Sequence, residues 1–180
     1  MKNHRQWNVE KKEVVSVDRF EVIIEEGKIG DETPFHFSYV TFDEGVCILP
    51  ITDDNQIVCL QQYRHALNEF EWELPAGRLE PMRDSLDMAK QELQEETGFV
   101  ASKWRSLGYF YPSPGSTNEK IHLFLAEGLV QGQEAHEATE QIDVHILSRS
   151  ELLEMVSSGS FRHGAGLAAV ARYLAGNTGK

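Results

Sequence analysis

The sequence predicts an α+β fold in which a mixed β-sheet lies between helices, preceded by an N-terminal β meander. Short apolar runs separated by turn residues dominate the first half, a helix-periodic segment follows, and strands and helices do not alternate regularly. Regular alternation would indicate a parallel βαβ sheet, so its absence favours α+β. A length of 180 residues suits one domain. Within it we expect N-terminal strands in residues 1–44 and a core in residues 45–180.

Apolar runs bounded by Gly, Pro, Asn and Asp predict the strands of the first half. The predicted meander lies at 13–43, and the further strands lie at 45–50, 57–62 and 70–74. The strands at 45–50 and 57–62 are joined by the turn-rich tetrapeptide 52–55, which is typical of a hairpin. The last run ends at Pro75, where an irregular loop begins.

A helix is predicted to begin at residues 84–85. Leu86, Ala89 and Leu93 fall on one apolar stripe of this helix, and Gly98 ends it because Gly followed by an apolar residue is a common C-cap. The second half continues with strand-like runs and two further helical segments. The strands are expected at 104–111, 121–129 and 142–147, and the helices at 150–157 and 164–175.

Composition narrows the function classes. Hydrophobic residues make up 41% and charged residues 26%, as in an ordinary globular protein. The net charge of −12 argues against a nucleic-acid partner, because binding a phosphate backbone requires clustered cations. Cys47 and Cys59 lie in apolar runs without metal-ligand spacing, so we expect buried thiols in a reducing compartment. No stretch of about 18 apolar residues occurs, which predicts a cytoplasmic protein without a membrane partner.

Three carboxylates stand together at the end of the predicted central helix. Glu92, Glu95 and Glu96 have i, i+3 and i+4 spacing, which places their Cβ atoms roughly 5–6 Å apart on one face. Clustered anions near a helix C-terminus repel one another and oppose the helix dipole. A solvated acidic face is the ordinary interpretation of such a triplet. A bound Mg²⁺ or Mn²⁺ is the alternative, because hard divalent cations take several oxygen ligands.

The segment around these carboxylates resembles the Nudix box, in which a Gly, a Glu and then Arg-Glu-apolar-x-Glu-Glu-x-Gly-apolar stand at fixed intervals. The matching residues are Gly77, Glu92, Leu93, Glu95, Glu96, Gly98 and Phe99. Two positions depart, since Arg83 stands for the first Glu and Gln91 for the Arg. In the family these two residues usually form an ion pair that braces the loop against the helix. We therefore expect this chain to lack that bracing pair.

The resemblance implies a Nudix fold and assigns roles in a metal site. Glu92 and Glu96 are implied to be metal ligands, and the carbonyl of Ala76 is implied to complete the inner shell. Glu95 is implied to be a third acidic ligand or an orienting catalytic carboxylate.

The chain is most similar to the ADP-ribose pyrophosphatase branch of that family, over residues 15–175. Within 62–77, Arg64 resembles an arginine that contacts substrate phosphate. Residues 109–119 resemble a loop that closes on the sugar. Residues 134–144 resemble an acidic loop that supplies a catalytic or metal-binding carboxylate, and this assigns the role to Glu140.

Each assignment has a plainer alternative. Instead of contacting phosphate, Arg64 could be an ordinary surface cation. Instead of contacting substrate, Pro114 and Gly115 could serve only to shape a turn. We favour a binding loop because Ser113 and Glu119 offer groups that recognise hydroxyls. Glu140 is poorly distinguished by sequence from two other loop carboxylates, Glu134 and Glu137.

The resemblance implies metal-dependent hydrolysis of the pyrophosphate of a nucleoside diphosphate sugar, of the ADP-ribose, ADP-glucose or GDP-mannose type. The products would be a nucleoside monophosphate and a sugar phosphate. Relatives in this branch are commonly dimers that exchange N-terminal strands, so we expect a homodimer. The alternatives are a Nudix hydrolase of another nucleotide class and a nucleotide-sugar sensor that binds without turnover.

Overall fold

The computed structural model describes residues 6–30, 32–132 and 141–177. This part of the chain contains ten strands and three helices. In chain order they are β1 (Trp7–Val17), β2 (Phe20–Ile29), β3 (Thr33–Thr41), β4 (Gly45–Pro50), β5 (Gln56–Arg64), β6 (Glu69–Glu73), β7 (Ala76–Arg78), α1 (Ser85–Thr97), β8 (Phe99–Phe110), β9 (Ile121–Gln131), β10 (Ile142–Ser148), α2 (Arg149–Ser158) and α3 (Gly164–Asn177). None of these helices is long and apolar enough to cross a membrane. The predicted α+β class is confirmed.

The chain divides into two compact units. The first contains the residues up to Asp43 together with Ser113–Glu119, and the second contains Glu44–Pro112 and the residues from Lys120 onwards. The predicted grouping of residues 1–180 into one domain stays a prediction. In the first unit, β1, β2 and β3 form an antiparallel sheet in that order.

One face of this three-stranded sheet is largely apolar. As the register of the three strands shows, it carries Trp7, Val9, Val14, Phe35, Phe37 and Tyr39 together with the Lys12–Glu25 ion pair. The Trp7 and Phe35 rings pack with their centroids 4.6 Å apart. This contact explains why β1 begins at Trp7 rather than near the predicted residue 13, since the charged residues after Val9 hide the apolar alternation. Trp7 remains 55% exposed, so much of the face is open to solvent.

The second unit contains two sheets. One has the order β7-β4-β9-β8 and is mixed, because β4 and β9 are parallel and the other pairs are antiparallel. The other is antiparallel and has the order β10-β5-β6.

Side chains alternate across the mixed sheet and so build two cores. Val46 and Ile48 of β4 pack with Met88, Ala89 and Leu93 of α1. On the opposite face, buried residues of β4 and β9 share a cluster with buried residues of α2 and α3. These residues are Cys47, Leu49, Leu123, Leu125, Leu152, Ala165, Ala169 and Val170. The predicted arrangement of a mixed sheet between helices is thus confirmed.

Both cysteines are free thiols in the core of this unit. Burial raises the pKa of the Cys59 thiol to about 12. The pKa of Cys47 is also raised, first by burial and then by the charge of Glu96. Neither thiol is poised for chemistry, because the reactive form of cysteine is the thiolate.

Candidate active site

Helix α1 is fixed at both ends by its own sequence. The Asp84 side chain accepts hydrogen bonds from the backbone N–H groups of Leu86 and Asp87, at 2.9 and 3.3 Å. Gly98 ends the helix in the left-handed conformation at φ 71°, and its N–H donates to the Gln94 carbonyl. These caps satisfy backbone groups that a helix end leaves unpaired. They also fix which residues form the last turns, where the three glutamates lie.

Glu96 is only 4% exposed although its side chain is a carboxyl group. Its Oε2 accepts a hydrogen bond from the Ala76 N–H at 2.9 Å. A buried carboxylate is costly without such donors. The bond ties the end of α1 to the first residue of β7.

Glu92 lies against the next residue of β7. A Cβ added to Gly77 would lie 1.9 Å from Oε1 of Glu92 and 2.0 Å from its Cδ. Any side chain at this position would therefore push the Glu92 carboxylate away. The position of the Glu92 carboxylate therefore requires a glycine at residue 77.

The carbonyl of Ala76 points away from β4. Ile48 N–H donates to the Pro75 carbonyl at 2.9 Å, and Leu79 N–H donates to the Glu44 carbonyl at 2.7 Å. Residues that bond to the partner strand alternate along an antiparallel pair, so Ala76 falls between bonded positions. Its N–H and carbonyl both face the outer side of β7, where Glu96 lies. Two carboxylates and one carbonyl thus converge on a two-residue stretch.

This donor set suits a hard divalent cation in its chemistry. Carboxylate and backbone carbonyl oxygens are the ligands that Mg²⁺ and Mn²⁺ prefer. The space at Gly77, which a Cβ would fill, holds the Glu92 carboxylate in this set. Among the described residues, no group of three or more His, Cys, Asp or Glu side chains is arranged so that it could hold a metal ion. The donors that the described contacts bring to β7 are Glu92, Glu96 and the Ala76 carbonyl, and water or phosphate oxygens would have to complete the shell of a bound cation.

Glu95 is held by a different contact. Its Oε2 accepts a hydrogen bond from Nε2 of Gln91 at 3.1 Å. Gln91 Oε1 in turn accepts a short bond from Nη2 of Arg83, whose Nη1 lies 3.2 Å from Oε2 of Glu80. The sequence predicted that the bracing ion pair between positions 83 and 91 is lost. The structure shows a hydrogen bond in its place, because an amide accepts from a guanidinium as a carboxylate does.

Arg64 forms a bidentate pair with Glu73. Its Nε donates to Glu73 Oε1 at 2.6 Å, and its Nη2 donates to Oε2. Glu73 is buried, whereas the Arg64 side chain is 42% exposed. The pair fixes the guanidinium plane at the end of β5.

Two functional candidates escaped the sequence argument. His163, just before α3, accepts a hydrogen bond on Nδ1 from the Leu74 N–H at 3.1 Å. Burial lowers its pKa, so the neutral ring with its proton on Nε2 is the stable form. Arg162 pairs with Glu69 and Glu71. These contacts join residues far apart in sequence, so no local sequence pattern could have predicted them.

Together with Arg64 and Glu73, these residues line a cavity of about 550 Å³. The cavity lies at the end of β5 and beside the N-terminus of α3. It collects two guanidinium groups and three carboxylates within the second unit.

Of the predicted sugar-side loop at 109–119, residues 113–119 belong to the first unit and residues 109–112 to the second. Its residues Ser113, Pro114 and Gly115 precede Ser116, whose carbonyl accepts from the Val40 N–H at 2.9 Å. Burial raises the pKa of Glu119, at the end of this loop. The predicted catalytic residue Glu140, with Glu134 and Glu137, lies outside the described residues.

Residues 41–164 match the NUDIX domain family. That span includes every residue of the carboxylate site described above and most of the chain. The chain belongs to the Nudix family.

Several curated relatives resemble the chain over more than half of its length. The Nudix chain is 30% identical over 160 residues to an ADP-ribose pyrophosphatase of Bacillus subtilis, covering 88% of this chain and 86% of the relative. It is 32% identical over 137 residues to an ADP-ribose pyrophosphatase of Mycobacterium tuberculosis, covering 74% and 66%. A methanol dehydrogenase activator of Bacillus methanolicus is 37% identical over 113 residues, covering 62% and 61%.

A solved structure agrees on the fold. The crystal structure of an ADP compounds hydrolase superposes with a TM-score of 0.86 at 20% identity, covering 99% of both chains. With the family match and these relatives, the protein is a hydrolase of the Nudix family, as the sequence predicted.

Proposed function

We propose that this Nudix hydrolase cleaves the pyrophosphate of a nucleoside diphosphate sugar with the help of a divalent cation. The observation that carries the proposal is the convergence of Glu92, Glu96 and Ala76 at β7. Support for the substrate class comes from the relatives named ADP-ribose pyrophosphatase. ADP-ribose is therefore the first substrate to test, with ADP-glucose and GDP-mannose beside it.

Glu92, Glu96 and the carbonyl of Ala76 would hold Mg²⁺ or Mn²⁺. When bound, such an ion neutralises phosphate charge and lowers the pKa of water. Arg64, oriented by Glu73, would donate to a phosphate oxygen, for which a planar fork of donors is suited.

The reaction is attack of water on one phosphorus and cleavage of its bond to the bridging oxygen. The leaving phosphate departs with that oxygen, giving a nucleoside monophosphate and a sugar phosphate. Glu95, oriented by Gln91, would take the proton of the attacking water. Glu140 is the other candidate for this role, as the sequence resemblance implies. On the sugar side, Ser113, Pro114, Gly115 and Glu119 are the proposed contacts.

A substrate panel with Mg²⁺ tests the proposal. We expect monophosphate release from ADP-ribose, ADP-glucose or GDP-mannose, and no release when a chelator removes the cation. If all three compounds survive while a nucleoside triphosphate is cleaved, the substrate class is wrong. If hydrolysis continues unchanged in the chelator, the metal site is wrong.

We also propose that the protein forms a homodimer through its N-terminal strands. The exposed apolar side chains on one face of the β1-β2-β3 sheet, among them Trp7, Val14 and Phe37, support this, because exposed apolar surface is characteristic of interaction sites. A cytoplasmic location stays a prediction and is supported by the two free, buried thiols.

A further inference from the structure

A line of three polar side chains runs from the loop after β7 to Glu95. Arg83 donates through Nη2 to Oε1 of Gln91, and Gln91 donates through Nε2 to Oε2 of Glu95 at 3.1 Å. Gln91 and Glu95 are both half-buried and stand four residues apart on α1, the spacing at which helical side chains meet. Arg83 precedes the helix and is itself bonded to Glu80.

The chemistry of the two ends fixes the amide between them. A guanidinium has only donors, and an ionised carboxylate has only acceptors. Gln91 must therefore turn its oxygen to Arg83 and its NH₂ group to Glu95. Rotating the amide by half a turn would place donor against donor and acceptor against acceptor, breaking both bonds at once.

An arginine or a glutamate at position 91 would bond to only one of the two neighbours, Glu95 or Arg83. An arginine there would bond Glu95 but would meet the guanidinium of Arg83 as a like charge. A glutamate would bond Arg83 more strongly but would repel Glu95. The amide of Gln91 accepts from the first residue and donates to the third, which neither of these charged side chains does. The two departures from the family box are thus complementary to each other.

We propose that Arg83 and Gln91 are positioning residues that hold the carboxylate of Glu95 in one orientation for the reaction. The proposal rests on the proposed function, because it requires Glu95 to act at the diphosphate. It gives these two positions a role in orienting a carboxylate in addition to the loop bracing that the family ion pair provides. Arg83 and Gln91 together brace the loop, and the NH₂ group of Gln91 orients Glu95.

The variant Gln91→Glu separates the two roles with a change of one atom. It keeps the acceptor for Arg83. We therefore expect the melting temperature of the metal-free variant to stay within about 4 °C of the wild-type value, which is the shift that roughly 1 kcal/mol produces in a chain of this size. It replaces the donor to Glu95 by a like charge. We expect kcat for ADP-ribose to fall about 100-fold, as misplacement of a reacting group by about 1 Å typically does, with a much smaller change in KM.

Gln94→Glu is the matched control. It introduces the same charge on the same helix, but Gln94 is exposed and its side chain forms none of the three contacts. We expect its kcat to remain within about threefold of the original, since surface substitutions away from such contacts change energies little. A comparable loss in both variants would assign the effect to added charge and overturn the proposal.

A double-mutant cycle tests whether Gln91 acts through Glu95. We expect Glu95→Gln to lower kcat, and in that background Gln91→Glu should lower it no further. Full multiplication of the two losses would show independent roles and overturn the proposal. A Glu95→Gln variant with unchanged kcat would also overturn it, because there would be no carboxylate function to position.

The side-chain amide of Gln91 gives a readout that needs neither metal nor substrate. Its ¹H–¹⁵N resonances are assigned by their absence in Gln91→Glu. We expect them to shift both in Arg83→Met and in Glu95→Gln, because each removes one of the two bonds. Resonances that are unmoved in both variants would overturn the proposal. If the wild-type protein hydrolyses no nucleoside diphosphate compound, the proposed function fails, while this readout still decides whether the line of bonds exists.

Discussion

At the scale of single residues, the contact between Gly77 and Glu92 determines what the site tolerates. The clash that a Cβ would create involves the far end of a flexible side chain, not backbone. Glu92 can therefore move aside while the fold survives. The cost of a side chain at Gly77 should appear in catalysis more than in stability.

The variant Gly77→Ala follows from this contact. We expect kcat for ADP-ribose to fall about 100-fold or more because the Glu92 carboxylate is displaced by an ångström or more. Thermal melting of the metal-free protein should shift by only about 4 °C or less. Gly164→Ala is the control, since a Cβ there meets nothing within 4 Å. Equal activity in the two variants would mean that the position of Glu92 is unimportant.

The variant Glu96→Gln tests charge separately from hydrogen bonding. A glutamine oxygen still accepts the Ala76 N–H, so the tie between α1 and β7 is retained. The negative charge offered to a cation is lost. We expect activity to fall by more than the roughly 10- to 100-fold typical of residues that only support a ligand, with little change in melting temperature. Near-normal rates at saturating Mg²⁺ would contradict the role of Glu96.

At the scale of elements, the residue before α3 is tied to the segment between β6 and β7 that leads into the site. His163 accepts the Leu74 N–H, and Leu74 lies two residues before Ala76. Burial lowers the pKa of this histidine below its ordinary value of 6.5, while the charges of Glu73 and Arg64 act in opposite directions. The folded state therefore binds fewer protons than the unfolded state. Its stabilising contribution is complete above pH 6.5 and decreases as the pH falls from there toward the folded-state pKa.

The variant His163→Asn isolates this effect. The Asn Oδ1 takes the place of Nδ1 as acceptor but does not titrate. We expect the melting temperature of the wild-type protein to drop more than that of the variant between about pH 7 and pH 5. Parallel melting curves over this range would show that His163 does not contribute to acid sensitivity.

The elements themselves were largely predictable because their determinants are local. Asp84 and Gly98 mark the ends of α1 in the sequence, and the structure places the helix between them. The start of β1 was not predictable, because the ring of Trp7 packs on Phe35 from a distant strand.

The spacing of Glu92, Glu95 and Glu96 predicted that the three carboxylates share one face of α1, but not that they have different neighbours. Glu96 and Glu92 lie at β7, whereas Glu95 bonds to Gln91. Spacing along a helix places residues on a face without specifying which neighbour each one contacts. The pairing of Arg64 with Glu73 was missed for the same reason, since it joins adjacent strands.

At the scale of the whole molecule, the N-terminal sheet is where assembly is expected. Placing a charge on its apolar face should oppose dimer formation because the charge would be buried at the interface. We expect the variant Val14→Lys/Phe37→Lys to sediment as a monomer at concentrations where the wild-type protein sediments as a dimer. Substitution of the exposed Met82 by Lys serves as the control, since Met82 lies in the other unit. A dimer that persists in the double variant would exclude this face as the interface.

Because both cysteines are buried, the rate at which they are alkylated reports how often the core opens. The chain has two cysteines, and each is sealed inside the sheet-and-helix core as a protonated thiol. A maleimide or iodoacetamide pulse on the native protein should leave both unmodified, whereas any molecule that opens its core is labelled irreversibly. The mass gained over time then measures how often the core opens, at neutral pH and without denaturant. A single cysteine introduced at an exposed position would also accept a fluorophore without competition from the native pair.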